Sequence, residues 1–96
     1  MSPNKNRKLN KLRKKLDTLD NSLLILIKER TEIVKKVLEL KKFKYEIVDN
    51  KRIKTILKRV KKRSKIMKID PKITERIWIN MIRSYIDFEK RNFKNK

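Results

Sequence analysis

An apolar seam that runs through the first forty residues constrains this chain more than any other feature. Its members recur at alternating intervals of three and four, the spacing of one helix face. They are Leu9, Leu12, Leu16, Leu19, Leu23, Leu26, Ile33, Val37 and Leu40. No Pro or Gly occurs between Asn4 and Phe43. The seam therefore predicts one helix about 55–60 Å long, at 1.5 Å per residue.

A helix of this length implies a second copy of the chain. A compact domain of 96 residues has a radius of gyration of only about 12–13 Å, so it cannot cover such a helix by itself. We infer a homodimer in which two long helices pack together. The alternative is a monomeric bundle of three shorter helices, and the missing break argues against it.

Two shorter helices complete a predicted all-α fold. The second begins at about Lys51, after an N-cap at Asp49 or Asn50. Its inward residues are predicted to be Ile53, Ile56, Leu57 and Val60. The third begins at Asp70-Pro71, with Asp as N-cap and Pro at the first helical position, and runs to about Phe93. Its inward residues are predicted to be Ile73, Ile77, Trp78, Met81, Ile82, Tyr85 and Phe88. We expect one domain over residues 1–96, frayed at about 1–8 and 92–96.

Composition excludes several classes of function. The chain has no Gly, Cys or His, so zinc fingers, thiol nucleophiles, imidazole bases and glycine-rich phosphate loops are excluded. We expect neither a metal nor a cofactor. Residues 1–13 are polar and basic, without the apolar stretch of a secretory signal. The longest uncharged run, residues 21–27, is too short to cross a membrane. We therefore expect a cytoplasmic protein without membrane contact.

The net charge of +20 is compatible with a nucleic-acid-binding protein, but also with lysine as the default surface residue. The positions of individual charges along the helices distinguish these two interpretations. Arg30 interrupts the apolar seam, Lys41 follows seam residue Leu40, and Arg13 adjoins Leu12. Two further charges adjoin inward positions of the shorter helices, namely Arg52 and Glu89. From the pattern alone, an internal ion pair of Arg30 or Lys41 with Glu89 or Asp49 is as well supported as an anion-binding site.

These residues also carry a resemblance to the all-α chorismate mutases, from Leu12 to Glu89. The first helix opens with LRKKLDTLDNSLL, close to the family's LRxxIDxIDxxLL. It continues through Glu29-Arg30 to Lys41, like the family's ER followed eleven residues later by Lys. Asp49 and Arg52 match DxxR, and Ile69-Asp70-Pro71 is similar to LDP. The resemblance implies intertwined homodimers of three-helix subunits, forming a helical bundle.

The resemblance also implies a role for each residue. Arg13 would bind a substrate carboxylate in the partner's site, and Arg30 would bind the other carboxylate in its own. Lys41 would contact the ether oxygen and a carboxylate of chorismate. Asp49 would accept from the substrate hydroxyl, and Arg52 would support that end of the substrate. The expected partners are therefore a small dianion, chorismate, and a second subunit, without nucleic acid or membrane.

The chain departs from the family pattern at three positions. Ile53 replaces a Glu, Tyr85 replaces a Ser or Asn, and Glu89 replaces the Gln that donates to the ether oxygen. Residues 78–86 also resemble the related isochorismate pyruvate lyases, in which a Tyr precedes the Gln; those enzymes generally lack the loop Asp, which is present here as Asp49. Tyr85 and Glu89 are nevertheless expected in the substrate site, with Lys41, Glu89 and Arg30 catalytic.

The implied reaction is the rearrangement of chorismate to prephenate, an isomerisation in phenylalanine and tyrosine biosynthesis. It is unimolecular and needs no nucleophile, metal or redox cofactor. A site must hold the dianion in a compact conformation and stabilise the negative charge that grows on the ether oxygen. The alternatives are salicylate formation from isochorismate, a basic nucleic-acid-binding module and a purely structural coiled-coil dimer.

Overall fold

The computed structural model describes residues 2–94 and confirms the predicted fold class. Helix α1 spans Pro3–Leu40, a short 3-10 turn spans Lys44–Ile47, α2 spans Asn50–Ile66 and α3 spans Pro71–Asn92. Residues 2–94 contain no strand. The chain divides into two compact units. The first ends at Val34 and consists of α1; the second, from Lys35 on, contains the last residues of α1, the turn, α2 and α3.

Helix α1 begins at a local signal, the Ser2-Pro3 dipeptide. The Ser2 hydroxyl accepts a hydrogen bond from the backbone N of Lys5 at 3.2 Å. Pro3 occupies the first helical position, where its missing N–H costs nothing. Residues 3–8 are therefore helical, whereas Met1 lies outside the described residues. Fraying at the two ends of the chain is a motion, and it stays a prediction.

Helix α1 ends at Leu40, three residues before the predicted end at Phe43, and Glu46 explains the difference. Its Oε2 accepts hydrogen bonds from the backbone N of Lys42 at 2.7 Å and of Phe43 at 3.1 Å. These two N–H groups therefore do not continue the helical ladder. The periodicity of α1 does not predict this end, because the Glu46 carboxylate lies beyond the last residue of the helix.

The core of the second unit is small. Its buried apolar residues are Leu38, Ile47, Ile56 and Val60. Helix α2 packs on α3, and the 3-10 turn also packs on α3. A buried pair of hydroxyls, Ser64 and Thr74 at 2.7 Å, joins α2 to α3. Two predicted inward residues of α3, Ile73 and Ile77, are instead more than half exposed. Thr74 takes the buried position at this end of α3, whereas the other five predicted inward residues are all partly buried.

The seam of α1 is uncovered within the single chain. Leu12, Leu19 and Ile33 are 56%, 60% and 60% exposed. The middle of α1 is apolar on every side, because the five consecutive residues 23–27 are all Leu or Ile and all exposed. No helix within residues 2–94 is both long and apolar enough to cross a membrane. A fully apolar helical stretch in a globular protein is normally buried, so this segment requires cover.

The end of α2 uses a left-handed residue that is not glycine. Lys68 has φ 59°. The backbone N of Ile69 donates to Ser64 O at 2.8 Å, and that of Lys68 donates to Lys65 O at 3.2 Å. This is the hydrogen-bond pattern of a Schellman cap. Because the chain contains no Gly, a residue with a Cβ occupies a conformation that costs it about 1–2 kcal/mol.

Replacing Lys68 with Gly is therefore expected to stabilise the protein. Part of the relief is offset by the greater freedom of Gly in the unfolded chain, which leaves a net gain of about 0.5–1 kcal/mol. The apparent Tm should rise by about 2–8 °C. Lys68→Ala is the matched control, since it removes the same charge but retains a Cβ. An equal rise in both variants, at the same protein concentration, would show that the charge was responsible instead.

Candidate active site

A partly buried ion pair joins the chain segment that follows α1 to α3. The Lys41 Nζ lies 2.8 Å from Glu89 Oε1. The two side chains are only 18% and 9% exposed. The sequence pattern allowed an ion pair of Arg30 or Lys41 with Glu89 or Asp49, and the structure contains the pair of Lys41 with Glu89. An ammonium group has three N–H donors, and the hydrogen bond to Glu89 uses one of them.

The segment between Lys41 and α2 is held in place by contacts that sequence reasoning missed. Besides the two backbone hydrogen bonds to Glu46, the rings of Phe43 and Tyr45 stack with centroids 5.5 Å apart. Ile47 is 4% exposed and anchors the 3-10 turn in the core. Glu46 lies three residues after the N-cap Phe43, which is the spacing of the Glu in a capping box, but Phe43 has no side-chain oxygen to complete that sequence signal.

Asp49 and Arg52 lie where α2 begins. Asp49 is the N-cap residue, and its Oδ1 accepts from the backbone N of Arg52 at 2.9 Å. Both residues are exposed. The DxxR spacing therefore has a structural explanation that is independent of any substrate, because an N-cap side chain bonds to the N–H three residues further on. The same bond fixes the backbone from which the Arg52 guanidinium extends.

An open concavity of about 520 Å³ brings Lys41 and Asp49 to one surface. Its wall also contains Val37, Leu40, Tyr45 and Val48. The concavity thus combines an ammonium group and a carboxylate with apolar and aromatic walls. Small-molecule sites commonly have this composition, in which a few polar groups orient a ligand against apolar surface.

The remaining predicted site residues lie on α3 and α1. Tyr85 is partly buried and precedes Glu89 by one turn of α3, so both share one face of that helix. Arg13 and Arg30 lie on α1 in the unit that ends at Val34. Arg13 is exposed, whereas Arg30 is partly buried despite its charge. Within the second unit, then, the structure brings together Lys41 with Glu89 and Lys41 with Asp49.

The chemistry available to these groups is binding and charge stabilisation. Lys41 can donate to an oxygen on which negative charge grows, and Asp49 can accept from a hydroxyl. Glu89 is an acceptor when ionised, as in its pair with Lys41, and becomes a donor only when protonated. Residues 2–94 contain no group of three or more acidic side chains arranged to hold a metal ion.

Comparison with known proteins identifies the family. No curated protein and no solved structure matches this chain. A family model described as chorismate mutase type II matches residues 12–90. The match begins at the leucine that opens the LRxxIDxIDxxLL pattern and ends one residue after Glu89. Because it covers most of the 96 residues, the chain belongs to the type II chorismate mutase family.

Proposed function

We propose that this protein converts chorismate to prephenate, the isomerisation that leads toward phenylalanine and tyrosine. Family membership supports the reaction class. The observation that carries the proposal is the Lys41 ammonium group, which is held 2.8 Å from Glu89 and lines the same concavity as Asp49. An ammonium group fixed in this way is suited to stabilise charge on a breaking C–O bond, because its position is set before the reaction begins.

The roles of the other residues follow from the chemistry of a dianion. We propose that Arg30 binds one substrate carboxylate and that Arg13, from the partner subunit, binds the other, since the guanidinium fork matches a carboxylate. Asp49 accepts from the substrate hydroxyl, and Arg52 supports the same end of the substrate. Tyr85 and Glu89 contact the substrate from α3. Together these groups hold the substrate in its compact reactive conformation.

Chorismate itself is the substrate that tests the proposal. The purified protein is mixed with chorismate, and both the loss of chorismate and the appearance of prephenate are followed. A parallel reaction contains isochorismate and is followed for salicylate and pyruvate. We expect prephenate to form without any added metal or cofactor. Failure to consume either compound, including at acidic pH, would contradict an enzymatic role.

One observation keeps the lyase reaction as a second candidate. Tyr85 is partly buried one helical turn before Glu89, at the place where the sequence is similar to isochorismate pyruvate lyases. Salicylate and pyruvate formed in equal amounts from isochorismate, at a higher kcat/KM than chorismate turnover, would favour that assignment. Turnover of chorismate alone would favour the mutase.

We also propose that the protein works as a homodimer built on α1. The exposed seam and the all-apolar segment over residues 23–27 support this, because a second copy supplies cover of the same apolar character. Within residues 2–94, four apolar residues are buried, which is a small core for a chain of this length. Packing of two α1 helices against each other would bury their exposed apolar surface, and this burial would contribute stability that the single chain lacks.

Two variants of α1 with the same new residue test the dimer. Leu23 lies on the seam and is 55% exposed in the single chain, whereas Asn21 lies on the opposite side of the helix. We expect Leu23→Glu to weaken association at least about tenfold, since each dimer would bury two carboxylates in place of two leucines. Asn21→Glu should leave association nearly unchanged. Sedimentation equilibrium measures both. A monomeric wild type, or equal effects of the two variants, would contradict the assignment of this face.

A further inference from the structure

The outer side of α2 carries a row of lysines that the proposed function does not use. Six lysines recur there at helical spacing, and we call them the α2 lysine stripe: Lys51, Lys54, Lys58, Lys61, Lys62 and Lys65. All six are exposed. Residues three and four apart are neighbours on a helix surface, so the stripe is continuous over about 21 Å.

The stripe faces away from the core of its own unit. The buried residues of α2 are Ile56, Val60 and Ser64, which lie on the side that packs against α3. The lysines occupy the opposite arc of the helix, and the exposed arginines Arg52, Arg59 and Arg63 lie beside that arc. This surface therefore lacks the apolar side chains with which one helix packs against another.

The stripe has no counter-charge on its own helix. Helix α2 contains no Asp or Glu, whereas α1 contains five: Asp17, Asp20, Glu29, Glu32 and Glu39. Within residues 2–94, no carboxylate is paired with a lysine of the stripe. Like charges at these spacings destabilise a helix. A bound anion would remove that repulsion.

We propose that the α2 lysine stripe binds the phosphodiester backbone of a nucleic acid. The proposal goes beyond the proposed enzymatic function and departs from the expectation that this chain has no nucleic-acid partner. A row of mobile ammonium groups matches a chain of phosphates, which interact with lysine as point charges. Helix α2 has no aromatic residue for base stacking, and its one amide side chain, Asn50, lies at its first position. The binding is therefore independent of base sequence.

An anionic membrane is a less suitable partner for the same charges. A helix that binds at a membrane surface inserts its apolar face among the lipids. The apolar face of α2 is already occupied, since Ile56 and Val60 are only 8% and 9% exposed. A polyanion that contacts charge alone fits this helix better than a lipid surface does.

Two triple variants of equal charge test the proposal. Lys54, Lys58 and Lys61 are replaced by Gln to interrupt the stripe. In the matched control, Gln replaces three exposed lysines outside α2: Lys28 on α1 and Lys72 and Lys90 on α3. Binding of a labelled single-stranded RNA, a single-stranded DNA and a duplex DNA is measured by fluorescence anisotropy between about 50 and 200 mM salt. Circular dichroism of each variant shows whether the helices are retained.

We expect wild-type affinity for single strands to fall with salt at a log–log slope of about −3 to −4. The stripe variant should bind at least about tenfold more weakly at low salt, with a slope reduced in magnitude by about 2. The control should change less than about threefold. Preference for RNA or for DNA would identify the natural source of the backbone. Equal losses in both variants, no binding by the wild type, or binding only to anionic phospholipid vesicles would each overturn the proposal.

Discussion

Replacing Lys41 with Gln is expected to lower kcat/KM for chorismate about 100- to 1,000-fold, the usual cost of losing one preorganised donor to a developing oxyanion. The structure holds Lys41 by a 2.8 Å contact to Glu89, so its ammonium group is positioned before substrate arrives. Gln can still donate a hydrogen bond, but it carries no charge to balance the growing negative charge on the ether oxygen. The measurement is steady-state loss of chorismate.

Lys42 is the matched control for this variant. It is the next residue and is exposed, and its structural contact uses its backbone N, which Lys42→Gln retains. We expect Lys42→Gln to keep nearly wild-type kcat/KM. If both variants lose activity equally, a general loss of positive charge is responsible, and Lys41 has no specific role. Circular dichroism and thermal unfolding distinguish loss of activity from loss of fold.

Mixing two inactive variants adds a test of how the site is shared. Arg13→Ala and Lys41→Gln chains are unfolded and refolded together, so that mixed dimers form. If Arg13 serves the partner's site, each mixed dimer contains one intact site, and about one quarter of wild-type activity should return. If Arg13 serves the site of its own subunit, every site stays defective and no activity returns.

Replacing Glu89 with Gln is expected to change how activity depends on pH. A protonated Glu89 can donate to the ether oxygen, whereas an ionised one repels it. If Glu89 donates in this way, wild-type kcat/KM should fall as pH rises, because only the protonated form can donate. The Gln amide donates at every pH, so the variant should retain activity where the wild type has lost it.

Glu75 supplies the control, because it is an exposed carboxylate on the same helix. The Glu75→Gln profile should follow the wild type. If the Glu89→Gln profile does so too, Glu89 does not donate to the reacting oxygen. If Glu89→Gln instead unfolds more readily and gains nothing at high pH, then its role is the structural ion pair with Lys41.

The helices could be predicted because their signals are local. Alternating intervals of three and four predicted α1 and α2, and Asp70-Pro71 predicted the start of α3, where the Asp70 side chain accepts from Lys72 N at 2.9 Å. The end of α1 could not be predicted in the same way. It depends on Glu46, which reaches back to backbone groups four and three residues earlier. The spacing of residues within a helix cannot show that a side chain beyond its end will bond to the backbone N–H groups that would continue it.

The sequence predicted which charged residues belong to the candidate site, but not which of them form ion pairs with each other. The pattern indicated that Lys41 and Glu89 were unusual, because each charge adjoins apolar positions. It left Glu89 and Asp49 as equal partners for the cations. In the structure Glu89 pairs with Lys41, while Asp49 caps α2. The choice depends on the packing of α3, since Lys41 and Glu89 are 48 residues apart.

The sequence by itself determined the all-α class, the number of helices and the absence of a break within α1. Each of these depends on propensity and spacing within a few turns of chain. Tertiary structure alone decided that Thr74 of α3 is buried while Ile73 and Ile77 are exposed. It also decided that Lys41 meets Glu89. The physical reason is that an apolar pattern indicates how much surface must be buried. The contacts between segments distant in the sequence decide which other surface covers it.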